Sequence, residues 1–144
     1  MEIGANFRII FKDQDVFKLG ISAWNGSFGG GAEVYVAIGE LREAALALKG
    51  FPLTPSDERK LTFGTFDPEF AGGGIDMNFH CLGGAGHAFV EIKMNAGYVS
   101  AGTVQTVLMS MPIDATAVDA FIQGLIGLER HDSGTATLKG MYSR

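Results

Sequence analysis

Residues 75–94 constrain the fold more than any other stretch of this chain. Ile75, Met77, Phe79 and Cys81 alternate with Asp76, Asn78 and His80. Beyond a glycine cluster, Ala88, Val90, Ile92 and Met94 alternate with His87, Phe89, Glu91 and Lys93. Period-two alternation on both sides of a Gly-rich link predicts a β-hairpin. A two-residue loop at Gly84-Ala85 suits a type II′ turn, which wants glycine at its first central position. That turn opposes Cys81 to Ala88, Phe79 to Val90, Met77 to Ile92 and Ile75 to Met94. It also opposes Asp76 to Lys93, an opposite-charge pair worth ~0.2–1 kcal/mol. A slip of one residue would turn the whole apolar set to the wrong face.

The same test carries along the rest of the chain. Phe7, Ile9 and Phe11 alternate with Arg8, Ile10 and Lys12, and Asp13-Gln14-Asp15 reads as a turn. Phe17, Leu19, Ile21 and Ala23 form one face of a second strand. Val34, Val36 and Ile38 mark a third, after the loop at 25–31. Leu41, Ala44, Ala45 and Leu48 then fall at helical spacing, with Gly50 placed to end the helix. Residues 59–66 read as a fourth strand, the 75–94 hairpin supplies two more, and 103–111 a seventh. Val118, Phe121, Ile122, Leu125 and Leu128 form the apolar stripe of a second, longer helix. Asp114 is placed to cap that helix, although Ala117 stands where a full capping box wants Glu or Gln. Residues 132–144 read as a loose tail or a late edge strand. The expectation is a single α+β domain over residues 1–144. It has an antiparallel sheet of about seven strands and two helices, the longer one C-terminal, with the helices covering one sheet face.

Composition excludes several function classes. A net charge of −5 argues against a nucleic-acid partner, whose backbone demands clustered Lys and Arg. The single cysteine, Cys81, cannot form an internal disulfide, which fits a reducing, cytoplasmic setting. Neither a signal-peptide pattern nor an apolar run long enough to span a membrane is present in the sequence, so no membrane partner is expected.

Each pattern that suggests chemistry has a plainer explanation. A dinucleotide fingerprint needs a helix after its glycines, whereas a strand follows Gly83, Gly84 and Gly86. Strands also follow Gly29-Gly30-Gly31 and Gly72-Gly73-Gly74. His80, Cys81 and His87 lie close in sequence, but alternation puts Cys81 on the apolar face and the histidines on the other. Zinc wants three or four converging ligands, so no metal is expected. Mid-strand, Cys81 lacks the base or positive charge a nucleophile needs. The pairs Asp13/Asp15 and Asp67/Glu69 sit where turns favour Asp. The expectation is a chain that is not an enzyme and carries no cofactor. Trp24, Phe28, Tyr35 and Phe89 fall on the polar faces of strands or in a loop. They suggest either a contact patch or a second face covered by a loop or by a homodimer partner.

The order of elements resembles the WapI-like immunity proteins of bacterial polymorphic-toxin and contact-dependent inhibition systems. The features that carry it run over residues 5–129: an N-terminal strand pair, Trp24 before "AEVYVAI", and the short "LREAALAL" helix. "LTF", "GGAGHAFVEIKM", "TVLMSM" and the terminal helix "DATAVDAFIQGLIGL" follow. The resemblance implies a cytoplasmic, non-catalytic protein that neutralises a cognate toxin domain by occluding it. Many such toxins are nucleases with basic clefts, which an acidic partner would meet faster. On that reading the contact residues are Glu33, Tyr35, Asp67, Glu69, Phe89 and Glu91. The competing expectation is a small-molecule-binding or dimeric structural module.

Overall fold

The computed structural model describes residues 2–67, 72–81, 83, 87–100, 103–131 and 133–142, the side chains of 98–100 and 103 apart. Three strands open the chain: β1 (Gly4–Lys12), β2 (Val16–Trp24) and β3 (Gly29–Ala37). Helix α1 (Glu40–Leu48) follows. Then come β4 (Glu58–Gly64), β5 (Gly74–Cys81), β6 (Ala88–Ser100), β7 (Thr103–Ile113), helix α2 (Ala115–Arg130) and β8 (Thr135–Lys139). All pairings are antiparallel, so the class is the α+β expected, with the longer helix after β7. The strands divide into two four-stranded sheets, ordered β3-β2-β1-β8 (sheet A) and β4-β5-β6-β7 (sheet B). Alternation shows which side of a strand is buried but not which strand lies beside it. The chain leaves sheet A through α1 and returns to it through α2.

The hairpin register holds at every described position: Cys81↔Ala88, Phe79↔Val90, Met77↔Ile92, Ile75↔Met94 and Asp76↔Lys93. Gly84-Ala85 itself lies outside the described residues. The segment read as a tail or edge strand contains β8, at the edge of sheet A beside β1. Ala136 and Leu138 point into the core, and Asn6 Nδ2 donates to Thr137 Oγ1 at 2.8 Å.

Two inward expectations are overturned: Ile38 falls just beyond β3 and is exposed, and Phe11 turns outward. Alternation puts Phe11 with Phe7 and Ile9 on the core face, yet Phe11 is 52% exposed. The register between β1 and β2 steps from Ile9↔Leu19 to Phe11↔Lys18, so Ile10 is an inserted residue. A β-bulge of this kind reverses the facing of everything after it.

The inner faces of both sheets and the stripes of both helices share one core. Helix α2 packs along β8, and α1 bridges α2 to β3 and β4. The helices therefore line a core walled by two sheets, where a single covered face was expected. α1 buries Leu41, Ala44, Ala45 and Leu48, and α2 buries Val118, Phe121, Ile122, Leu125 and Leu128, as their periodicity predicts. Asp114 Oδ1 accepts from Ala117 N at 2.8 Å, the expected cap. α1 has no side-chain cap of its own at Gly39. Glu129 of α2 supplies one from outside, accepting from Gly39 N at 2.9 Å and Arg42 N at 3.4 Å.

Two glycines of α2 should respond oppositely to alanine. A Cβ on Gly127 meets nothing within 4 Å. Gly127→Ala should then stabilise by about 0.5–1 kcal/mol through helix propensity and a less flexible unfolded chain. A Cβ on Gly124 would lie 2.7 Å from Ala136 Cα and 2.9 Å from its Cβ. Separating α2 from β8 costs about 1–3 kcal/mol, more than the propensity gain, so Gly124→Ala should destabilise. Thermal melts of the two variants should move in opposite directions. Two shifts of the same sign would mean that α2 and β8 are not in such close contact.

Candidate functional site

A groove of about 580 Å³ lies on the outer face of sheet A. The strand register builds it. Arg8, Gly20 and Glu33 form one cross-strand row, and Asn6, Ser22 and Gly31 form the next. Two adjacent rows thus carry glycine where other strands carry side chains, and the face is hollow there. Arg8 folds over Gly20, since a Cβ on Gly20 would lie 3.0 Å from its Cζ. Lys18 and Tyr35 close one end of the hollow, and Gly72 and Ala96 line another side. Gly73 N donates to Glu33 O at 2.8 Å and fastens the link before β5 to the edge of β3.

Lys18 Nζ lies 3.0 Å from Glu33 Oε1 and 5.7 Å from the Tyr35 ring centroid. The hydrogen bond to Glu33, reinforced by its charge and by Tyr35, raises the Lys18 pKa. Lys18 therefore stays cationic, and Glu33 is half of an ion pair. Across the strands, Phe11 and Tyr35 both pair with Lys18, one from each side. The bulge thus brings Phe11 onto the row that ends in Tyr35, itself 40% exposed. Ile10 and Ile38 are exposed at the same end of the sheet. The result is an aromatic and aliphatic rim beside a groove bearing Arg8, Lys18 and Glu33.

Of the six contact residues expected from the sequence, Glu33 and Tyr35 share this groove. Phe89 and Glu91 lie on sheet B instead, on the face turned from the core. Phe89 is half-buried and stacks on His80, ring centroids 4.9 Å apart at 17°. Asp67 is exposed just beyond β4, its N–H bonded to Thr65 Oγ1. Glu69 lies outside the described residues. The groove also contains residues the sequence reading passed over, Arg8, Lys18 and Phe11's rim among them. A signal for Phe11 was present: Ile9-Ile10-Phe11 puts three apolar residues in a row, which strict alternation cannot bury on one face.

The other sequence candidates have local structural partners. His80 Nδ1 lies 3.1 Å from Glu58 Oε1. Cys81, half-buried, donates from Sγ to Thr54 O at 3.3 Å. Trp24 is half-buried over Gly29, where a Cβ would lie 2.8 Å from its ring. Among the described residues no three His, Cys, Asp or Glu side chains gather closely enough to hold a metal ion.

Asp57 and Arg59 form the second perturbed ionic group. Arg59 Nε and Nη2 donate to the two oxygens of Asp57, each at 2.8 Å. The guanidinium also donates to Ala47 O at 2.9 Å and Lys49 O at 3.1 Å. It lies 5.9 Å from the Phe51 ring centroid. The hydrogen bond from Arg59, helped by Leu53 N, lowers the Asp57 pKa, and the same bond raises that of Arg59. α1 has no basic residue in its last turn. Arg59, from β4, brings a cation to the carbonyls that end the helix, where positive charge is favoured. This is a fastening of α1 and its following loop to sheet B.

No family model matches this chain, and no curated protein or solved structure matches it.

Proposed function

We propose that this chain is a non-catalytic binding protein that occludes a protein partner with the outer face of sheet A. The observation that carries the reading is the bulge at Ile10, which turns Phe11 out of the core and onto the row of Lys18 and Tyr35. Bulges commonly re-aim a side chain at a functional surface. Exposing a phenylalanine of a half-buried strand forfeits burial worth about 1.5–3 kcal/mol, a loss that a partner's surface would recover. Aromatic side chains beside an arginine are also the composition that dominates binding energy at interfaces.

The partner in this proposal is a toxin domain, and the chain is its immunity protein in a bacterial cytoplasm. Supporting it is the element order that resembles WapI-like immunity proteins. The groove itself is not acidic, because Arg8 and Lys18 outnumber Glu33. The chain's net charge of −5 would act at longer range, drawing a basic partner to the molecule as a whole. Among the described residues no helix is long and apolar enough to cross a membrane.

Calorimetric titration of a cognate toxin domain, sought among the genes flanking this one, provides the test. A one-to-one complex is expected with the unaltered chain. The double variant Phe11→Ala/Tyr35→Ala should bind about 30-fold more weakly or worse, the mark of a hot spot. Leu53→Ala, more exposed than either but on the α1–β4 loop, should leave affinity unchanged. Unaltered binding by the double variant would move the contact elsewhere, and no complex at all would reject the immunity reading.

A further inference from the structure

The free edge of sheet B points to a second interface. β7 ends that sheet and, among the described residues, pairs only with β6. Its residues 103–113, TVQTVLMSMPI, include no charged side chain. Exposed edges usually carry charges or bulges that discourage pairing.

Which backbone groups face outward follows from Pro112. It stands opposite Phe89 without an N–H to offer, which a strand tolerates where the N–H would face away from its neighbour. Even-numbered residues of β7 therefore turn their N–H and C=O to the open side. Two bonds agree. Pro112 O accepts from Met141 N at 2.9 Å, and Ser110 O accepts from Asn25 Nδ2 at 3.1 Å. The C-terminal half of the edge is thus capped by the chain itself. The irregularity beyond Asn95 falls in β6, where three residues match two of β7, so β7 keeps its alternation back to Val104. Among the described residues, nothing bonds the outward backbone of Val104, Thr106 or Leu108. Val104 is 44% and Leu108 64% exposed. A cleft of about 200 Å³ lies beside this stretch, between Gly29–Gly31 and 105–107.

We propose that this open segment pairs with the same segment of a second copy, antiparallel about a two-fold axis at Thr106. The covered positions at Ser110 and Pro112 leave Val104, Thr106 and Leu108 for pairing. Centring on Thr106 uses all three on both strands: Val104 meets Leu108 of the other copy, and Thr106 meets Thr106. Apolar side chains then face apolar ones, and no like charges are opposed. An isologous contact must be complementary to itself, and the sequence around Thr106 is. The two sheets B become one sheet of twice the width.

Sedimentation velocity from micromolar to millimolar protein tests this. The unaltered chain should form a dimer. Thr106→Lys and Thr106→Glu each place like charges face to face at the axis and should raise the dimer Kd at least tenfold. An equimolar mixture of the two should recover the dimer as a mixed species. Thr106→Pro, which removes the outward N–H and leaves the β6 ladder intact, should be monomeric without any charge change. Circular dichroism confirms that each variant is folded. A monomeric unaltered chain overturns the proposal, as do charge variants that remain dimeric. Charge variants that are monomeric alone and fail to recover on mixing reject the axis at Thr106, and with it the pairing as stated.

Discussion

Phe7→Ala should lower the unfolding free energy by about 3–5 kcal/mol, the usual cost of emptying a buried aromatic site. Phe7 is fully buried in β1. Its ring meets Phe63 of β4 edge-on at 5.4 Å and Phe121 of α2 edge-on at 5.3 Å. One side chain therefore joins sheet A to sheet B and to the long helix. Each edge-to-face pair contributes about 0.5–1.5 kcal/mol beyond the area it buries, and truncation removes both. The cavity would be bounded by three elements of regular structure, none of which can collapse into it freely. Since small domains are stable by only about 5–15 kcal/mol, this one change consumes a large share. Urea unfolding followed by far-UV circular dichroism measures it. A loss below about 1 kcal/mol would mean that the three rings do not form a shared core. Phe28→Ala, on an exposed turn, should stay within about 0.5 kcal/mol of the unaltered chain.

The second large effect is at Arg59. Arg59→Ala should cost about 2–3 kcal/mol, because hydrogen bonds to charged groups are worth more than neutral ones. The change also strands Asp57, whose side chain is only 11% exposed. That carboxylate would keep Leu53 N as a partner but lose its cation. The figure lies below that for a fully buried pair because Arg59 remains partly in contact with water. The pH dependence has a definite sign. The folded-state pKa of Asp57 is depressed, so its contribution is complete above the unfolded value of about 3.9. It is lost as pH falls through the depressed folded value. Arg59 stays charged throughout. The unaltered chain should thus lose stability below about pH 4 more steeply than Asp57→Asn, which lacks this titration. Parallel acid limbs for the two proteins would show that the Asp57–Arg59 pair is not what holds the loop.

Much of this architecture is legible in the sequence, and what is not has identifiable causes. The 75–94 register can be read because pattern, turn residues and the Asp76–Lys93 pairing all favour one alignment. The stripes of α1 and α2 can be read because burial on one side of a helix leaves a period that no strand shares. The division into two sheets cannot, since strand patterns carry no label for their neighbours. Phe11 is misplaced by alternation because a bulge inserts one residue without changing the residue types around it. The capping of α1 by Glu129 and by Arg59 is invisible for another reason: both partners arrive from other elements. At the candidate site, Glu33 and Tyr35 are legible as polar-face residues. The groove is not, because it comes from Gly20 and Gly31 lying diagonally, in adjacent rows of neighbouring strands.

The pairing of β8 with β1 has a consequence for the way the molecule is made. Sheet B is drawn from one unbroken run, residues 58–113, and its meander can assemble as the ribosome releases it. Sheet A cannot. Its strand β1 is made before any of sheet B, yet its second neighbour is not synthesised until residues 135–139. Until then the nascent polypeptide carries an unfinished border at β1, which closes only after every strand of sheet B has been made.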